Sequence, residues 1–210
     1  MAALTPADIA TLQAAQALIE RLLAEAATPE PVSPATTTVK RAIAWGAKVS
    51  ETFRERVWWI ADTLSFNPDW LMACMAWETG RKFTANVKNM AGSGAVGLIQ
   101  FMPSTATALG TTTAALSAMT AEDQLRFVYR YLLPWAGKIS NLSDLYFTIL
   151  WPKGVGQPED YIVFDGRNGS TAFRQNAGFD TNKDKVVTKA EASVKLYAIL
   201  TEGLRVENVG

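Results

Sequence analysis

Residues 68–78 read PDWLMACMAWE, and this stretch decides the fold. Asn67 precedes it as a candidate N-cap, the proline suits the first helical position, and Asp69 places negative charge in the first turn. After Asp69 no charged residue follows until Glu78, so the pattern predicts a helix that is apolar on nearly all sides and therefore buried. Gly80 is a typical residue to follow the end of such a helix.

Helical spacing continues on both sides of this segment. Ser50 is a candidate N-cap for an upstream helix. The apolar face of that helix consists of Phe53, Val57, Ile60 and Leu64. Downstream, helices are predicted near 121–132, 142–150 and 190–200, the last with Val194, Tyr197 and Leu200 at helical spacing. Strand patterning is weak, so we predict a mainly α fold.

The composition limits the chemistry that the protein can perform. The 210 residues are 49% hydrophobic and 19% charged, with 20 basic and 20 acidic side chains and no histidine. The lack of histidine excludes the Ser-His-Asp triad and the Cys-His pair, and the lone Cys74 excludes an internal disulfide. The zero net charge argues against nucleic acid as a partner.

Three segments differ in composition. Residues 1–27 are predicted to form an N-terminal helix, with Thr5 as its N-cap. Residues 28–39 read TPEPVSPATTTV, which predicts an extended Pro/Thr-rich linker. The main domain is predicted to span 40–210. The chain shows neither a secretory signal pattern nor a run of 18 apolar residues, so we expect no membrane insertion.

Glu78 is the candidate catalytic group. Desolvation and the partial negative charge at a helix C-terminus both disfavour a carboxylate there, so both should raise its pKa. A carboxylic acid that can donate a proton near neutral pH is what glycosidic bond cleavage requires. The alternative is that Glu78 is simply the first solvated residue after a core helix.

The residues that follow form a recognisable pattern, with ETG at 78–80, Asn89, and GAVGLIQFMPSTA at 94–106. It resembles the signature of soluble lytic transglycosylases and the related goose-type lysozymes, over about residues 50–150 and most closely over 78–110. The resemblance implies a lysozyme-like α-helical fold. It also implies cleavage of the β-1,4 bond between N-acetylmuramic acid and N-acetylglucosamine in peptidoglycan.

Carried onto this sequence, the resemblance makes Glu78 the catalytic acid, and afterwards the base. The residues that it implies at the substrate are Thr79, Asn89, Gly97, Leu98, Gln100, Met102 and Tyr146. Asn89 stands roughly where a serine is usual, and Tyr146 replaces a tyrosine motif that the chain lacks. No cofactor is implied for catalysis.

Two reaction outcomes and one non-enzymatic role stay open. A transglycosylase closes the muramyl 6-hydroxyl onto the anomeric carbon, whereas a hydrolytic goose-type lysozyme uses water. A second carboxylate would favour water, and Asp144, Glu122 and Asp165 are candidates for it. The non-enzymatic alternative is a peptidoglycan-binding structural component of a phage virion or a secretion machine.

The resemblance also suggests a biological setting. Peptidoglycan glycan strands would be the main partner. We expect synthesis in a bacterial cytoplasm without a signal peptide, and action on the cell wall during phage lysis or from a virion. The N-terminal helix would attach the protein to a larger assembly, or to a copy of itself.

Aromatic side chains could form platforms for sugars. The sequence contains seven tryptophans. Those on apolar helices are expected mostly in the core, namely Trp58, Trp59, Trp70 and Trp77. Trp135 and Trp151 are the better candidates for a groove.

Residues 180–191 read DTNKDKVVTKAE and resemble an EF-hand loop. The oxygen donors would be Asp180, Asn182, Asp184, the Val186 carbonyl, Thr188 and Glu191. Lys185 stands where the pattern has glycine, and a positive φ there costs a non-glycine residue about 1 kcal/mol. The pattern predicts one structural Ca²⁺ with no catalytic role. The alternative is a polar loop in which Asp180 or Thr188 caps the next helix.

Overall fold

The helices of the computed structural model begin where the sequence places capping residues. The structure describes residues 41–89 and 92–210, and the predicted N-terminal helix (1–27) and linker (28–39) lie outside them. The helices are α1 (Glu51–Leu64), α2 (Pro68–Glu78), α3 (Pro103–Ala108), α4 (Thr113–Ser117), α5 (Ala121–Leu132), α6 (Leu142–Leu150), α7 (Thr171–Asn176) and α8 (Lys189–Gly203). The two strands are β1 (Ile162–Asp165) and β2 (Val186–Thr188). The mainly α prediction is confirmed.

Local hydrogen bonds explain the helix boundaries. The Ser50 hydroxyl accepts a hydrogen bond from the Phe53 N–H at 3.1 Å, and Asn67 accepts one from the Asp69 N–H at 2.9 Å. Gly80 adopts a φ of +56° just after α2, in the left-handed region that favours glycine. The predicted apolar face of α1 is buried. On α8 the helix is as predicted, but Val194 is 54% exposed because a different face is buried.

Helix α2 forms the centre of the core. Its residues from Leu71 to Ala76 are all 0% exposed. Helices α1, α6 and α8 pack around it, and α5 packs against α1. Burying each leucine or methionine side chain contributes about 1.5–3 kcal/mol, so this helix is a major source of stability. Within the described residues, no helix is long and apolar enough to cross a membrane.

The compact unit Arg41–Gly210 is closed by contacts between its two ends. Ile43 and Gly210 exchange two backbone hydrogen bonds, of 3.0 and 3.3 Å. Trp45 is 1% exposed, and its indole N–H donates to the Ile199 carbonyl on α8 at 3.1 Å. Gly203 lies against the Trp45 ring, where a Cβ would clash. The start of the unit is therefore anchored to the last helix.

The two strands and α8 are tied to α6 by a buried ion pair. Strands β1 and β2 pair antiparallel, with an irregularity between Ile162 and Phe164. At the start of α8, the Lys189 ammonium lies 2.6 Å from an Asp144 carboxylate oxygen, and both side chains are at most 2% exposed. Asp144 also accepts the N–H groups of Gly156 and Ser140, at 2.9 and 3.1 Å.

We expect Lys189→Met to destabilise the protein by about 3–5 kcal/mol, because it leaves the Asp144 carboxylate buried without its cation. The double variant Asp144→Asn/Lys189→Met should recover much of that loss, since no buried charge remains. Urea denaturation followed by circular dichroism measures both. A double variant no more stable than the single one would show that the charge is not the cause.

Candidate active site

An open cleft of about 540 Å³ lies beside the C-terminal end of α2. Its lining includes Trp77 and Glu78 from α2, Thr79 and Gly80 just after the helix, and residues of the segment 82–89. Gln100 also lines it. Glu78 is the one carboxyl group among the described lining residues. The cleft therefore presents an acid at the end of a buried helix to solvent on its open side.

Burial controls the protonation of Glu78. It raises the pKa of the carboxyl group from its ordinary 4.5 to about 7, because the anion is poorly solvated there. Ion pairs between described residues do not involve Glu78. Arg81, three residues along, instead pairs with Glu202 at 2.5 Å. The carboxyl group is therefore about half protonated at pH 7, and no ion pair with a described residue stabilises its anion.

Two tyrosines lie within electrostatic reach of Glu78. Burial and then the Glu78 charge raise the pKa of Tyr131 to about 12. The same two causes raise the pKa of Tyr146, opposed by a hydrogen bond with Trp77. The Tyr131 hydroxyl donates to the Thr148 carbonyl at 2.5 Å, and Tyr146 is 2% exposed. Tyr146 thus belongs to the packed wall behind the acid, and contact with substrate stays a prediction.

Gln100 holds an unusual backbone conformation at the edge of the cleft. Its φ is +51°, in the left-handed region. Its side-chain amide donates to the carbonyls of Val87 and Gly97, at 3.2 and 3.1 Å. These bonds use the NH₂ group, so the carbonyl oxygen is the part that can accept a hydrogen bond from a sugar hydroxyl.

Asn89 and Met102 lie at the surface near Gln100. Asn89 lines the main cleft, and its backbone N–H donates to the Ala95 carbonyl at 3.0 Å. Met102 is 44% exposed and lines a smaller pocket of about 40 Å³ that shares Gln100 with the main cleft. Both positions are accessible to a ligand.

Of the other predicted substrate residues, Thr79 lines the cleft, whereas Leu98 and Gly97 do not. The Thr79 hydroxyl is buried, donating to the Met75 carbonyl at 2.6 Å and accepting the Phe83 N–H at 3.1 Å. Leu98 is 0% exposed. Gly97 has a φ of +83°, and a Cβ there would overlap a buried amide side chain. Their predicted contact with substrate is untested, but their observed contacts are with protein.

The amide that meets Gly97 and Leu98 belongs to Gln124 on α5. Its oxygen accepts the Leu98 N–H at 2.7 Å, and its nitrogen donates to the carbonyls of Ala85 and Leu116, at 3.1 and 2.9 Å. Gln124 is 0% exposed. One side chain therefore ties Ala85, in the segment that lines the cleft, to Leu98 and Leu116.

The three candidates for a second carboxylate are engaged elsewhere. Asp144 pairs with Lys189. Glu122 accepts a hydrogen bond from the Ser50 hydroxyl at 2.5 Å, and Asp165 pairs with Arg167 at 2.6 Å. None of the three lines the cleft.

The tryptophans are arranged differently from the prediction. Trp59 is 40% exposed and packs on Tyr129 with ring centroids 4.8 Å apart, so it is not in the core. Trp77 is partly buried and lines the cleft. The groove candidates Trp135 and Trp151 do not line it, and Trp151 packs against Phe164. Trp77 is therefore the indole available to a ligand beside Glu78.

The EF-hand-like loop has the turn that its pattern requires. Lys185, in the glycine position, adopts a φ of +67°. Asp180, Asn182 and Asp184 accept backbone N–H groups within the loop, at 2.8–3.1 Å. The other oxygen of Asp180 is buried without a hydrogen-bond partner. That oxygen is suited to a cation.

The last residues of the loop cap the helix that follows it. Thr188 caps α8, and Glu191 accepts both the Thr188 N–H and its hydroxyl at 2.9 Å, forming a capping box. No group of three or more acidic, cysteine or histidine side chains across 41–89 and 92–210 is arranged to hold a metal. For both Glu191 oxygens to bind a cation, this carboxylate would have to break its hydrogen bonds with Thr188.

Sequence reasoning did not single out Gln124, Lys82 or Lys88 at this site. Helical spacing could have identified Gln124 as buried, because it lies four residues before Val128 on the buried face of α5. For the two lysines no periodic pattern exists, because the segment around them is irregular.

Comparison of the chain with protein-family models, curated proteins and solved structures finds no match. Its function is therefore inferred from the geometry of the cleft and from the motifs within residues 78–106.

We expect Glu78→Gln to change the pH dependence of stability. Because the pKa of Glu78 is raised in the folded state, the wild type should lose stability as the pH rises from about 4.5 to 7. Ionising this carboxyl group costs more free energy in the folded protein than in the unfolded chain. Glutamine cannot ionise, so at pH 8 the variant should be more stable than the wild type by about 3 kcal/mol, with little difference near pH 4.5. Urea denaturation across this range measures the difference.

Glu207→Gln, at an exposed position, is the matched control and should show no such pH-dependent difference. A Glu78→Gln effect that is the same at every pH would mean that the pKa of Glu78 is not raised.

Proposed function

We propose that this protein is a peptidoglycan-cleaving muramidase of the lytic transglycosylase type, with a lysozyme-like fold and Glu78 as its single acid and base. The observation that carries the proposal is the position of Glu78. Its carboxyl group ends a buried helix, has a pKa near 7 and lines an open cleft. The motifs at 78–80 and 94–106 supply the substrate class.

In the first step the Glu78 carboxylic acid donates its proton to the glycosidic oxygen between N-acetylmuramic acid and N-acetylglucosamine. The bond from the anomeric carbon to that oxygen breaks, and the anomeric carbon develops oxocarbenium character. Because this step needs the protonated acid, activity should fall as the pH rises above about 7.

In the second step the Glu78 carboxylate takes a proton from the nucleophile that attacks the anomeric carbon. We propose that this nucleophile is the muramyl 6-hydroxyl, which gives a 1,6-anhydro end and restores the acid. The placement of Asp144, Glu122 and Asp165 in other interactions supports a single-carboxylate route over activation of water by a second carboxylate.

Groups around Glu78 are suited to orienting a sugar. The side-chain carbonyl oxygen of Gln100 can accept a hydrogen bond from a sugar hydroxyl, and the hydrogen bonds of its NH₂ group to Val87 and Gly97 limit its motion. Trp77 offers an indole surface for stacking. Asn89, which also lines the cleft, adds a side-chain amide, so that sugar hydroxyls can meet both donors and acceptors.

Glu78→Gln should reduce the release of soluble muropeptides from purified peptidoglycan by about 10²–10⁴-fold, because the amide cannot donate the proton. Glu207→Gln should retain wild-type rates. Chromatography of the digests measures release, and mass spectrometry identifies the new ends. We expect 1,6-anhydromuramyl ends, which are lighter than reducing ends by one water molecule.

Three results would contradict this proposal in different ways. Unchanged release by Glu78→Gln would remove Glu78 from the chemistry. Peptidoglycan binding by a wild type that releases nothing would instead favour a non-catalytic wall-binding component. Reducing ends in place of anhydro ends would favour a hydrolytic lysozyme that uses the same acid.

We also propose that the loop 180–191 binds one structural Ca²⁺. The buried, unpartnered oxygen of Asp180 and the positive φ of Lys185 support this proposal. Asp184, Asn182, the Val186 carbonyl and Thr188 would complete the oxygen set, with Glu191 turning from its capping box to the ion. The ion would fix the start of α8, where Lys189 pairs with Asp144.

Adding Ca²⁺ at a hundredfold excess over its Kd should stabilise the protein by about 2.7 kcal/mol relative to the chelator-treated protein. Glu191→Gln should lose most of this gain, because the bidentate ligand is missing. Asp160→Asn, exposed and outside the loop, should keep it. Thermal unfolding with Ca²⁺ or EDTA measures the effect, and identical midpoints for the wild type would reject the ion.

A further inference from the structure

Two lysines lie in the lining of the cleft that contains Glu78. Lys82 follows the turn that ends α2, and Lys88 lies in the segment that bridges to Val96. Both are exposed, and neither forms an ion pair with a described residue. Their neighbour Arg81, by contrast, is held by Glu202 through three hydrogen bonds.

The charge of the cleft differs from that of the whole chain. The chain has a formal net charge of zero. The lining of the cleft contains these two lysines and a single carboxyl group, which is more than half protonated below pH 7. The other described lining residues are uncharged at this pH. A concave surface concentrates the field of its charges, so this cleft favours an anionic ligand.

We propose that Lys82 and Lys88 make the cleft selective for glycan strands that carry carboxylate groups, over neutral strands with the same backbone. This inference rests on the proposed function and specifies the substrate of that same site. Neither a sugar ring nor its N-acetyl group carries charge, so the carboxylates must be on substituents. In peptidoglycan they come from the stem peptides or, where the peptides are removed, from the lactyl groups.

The exposure of the two lysines predicts the size and the salt dependence of the effect. Exposed ion pairs are weak, so we expect the two together to contribute about tenfold in affinity at low ionic strength. Salt screens such contacts, with a Debye length of about 3 Å at 1 M, so the preference should largely disappear in 1 M NaCl.

The test uses the charge-reversal pair Lys82→Glu/Lys88→Glu. The matched control is Lys48→Glu/Lys153→Glu, which makes the same change in net charge at two exposed positions that do not line the cleft. Each pair is made in the full chain, once with Glu78 intact for cleavage rates and once with Glu78→Gln for binding. Thermal unfolding of all variants checks that they fold.

Three substrates separate the sources of the carboxylate. Intact sacculi carry stem-peptide carboxylates, amidase-treated strands carry lactyl carboxylates, and carbodiimide-amidated sacculi carry neither. Co-sedimentation measures binding, and release of soluble fragments measures cleavage.

We expect the cleft pair to lose about tenfold in binding to intact sacculi at low salt, with little change on amidated sacculi, while the control pair keeps its preference. A loss confined to intact sacculi assigns the contact to stem-peptide carboxylates, and a loss confined to stripped strands assigns it to lactyl carboxylates. An equal loss on both substrates shows that the lysines bind either carboxylate. Equal behaviour of the cleft and control pairs on all three substrates would overturn the selectivity and leave catalysis by Glu78 intact. Lysine-dependent binding by a wild type without cleavage would reject the catalytic function and keep the selectivity.

Discussion

The burial of α2 from Leu71 to Ala76 is the constraint on which the rest of the structure depends. A helix without a polar face is stable in water only when protein covers it all round, and α1, α6 and α8 provide that cover. The chain returns to solvent at the end of this helix, and Glu78 is the residue that occupies that boundary. The exclusion of water that stabilises the core therefore also raises the pKa of the acid.

The features that the sequence predicted correctly are those determined within a few residues of chain. The caps Ser50 and Asn67 and the turn at Gly80 act on their immediate neighbours, so the boundaries of α1 and α2 follow from the sequence. The contacts that join the helices are different. Gln124 reaches 26 residues back to Leu98, and no local pattern specifies such a pairing. The same holds for Lys189 and Asp144, 45 residues apart.

The candidate site also combines features that the local sequence predicts with features that depend on contacts between distant segments. The position of Glu78 at the end of an apolar run made it identifiable, whereas its protonation depends on how α2 is covered. The motif at 94–106 contains two kinds of residue only three positions apart. Gln100 reaches the cleft, while Gly97 leaves room for the Gln124 amide, so its missing side chain serves packing within the wall. Spacing alone cannot separate these roles, because both are required at fixed positions.

The pairing of Ile43 with Gly210 gives the folded unit an almost circular backbone. A short peptide could join these neighbouring ends, and the chain could then be opened at an exposed loop without separating any packed helices. The arrangement around the acid would then be independent of the order in which a gene encodes its parts. Such permuted versions would place the ends of this unit at a chosen loop, away from Ile43 and Gly210.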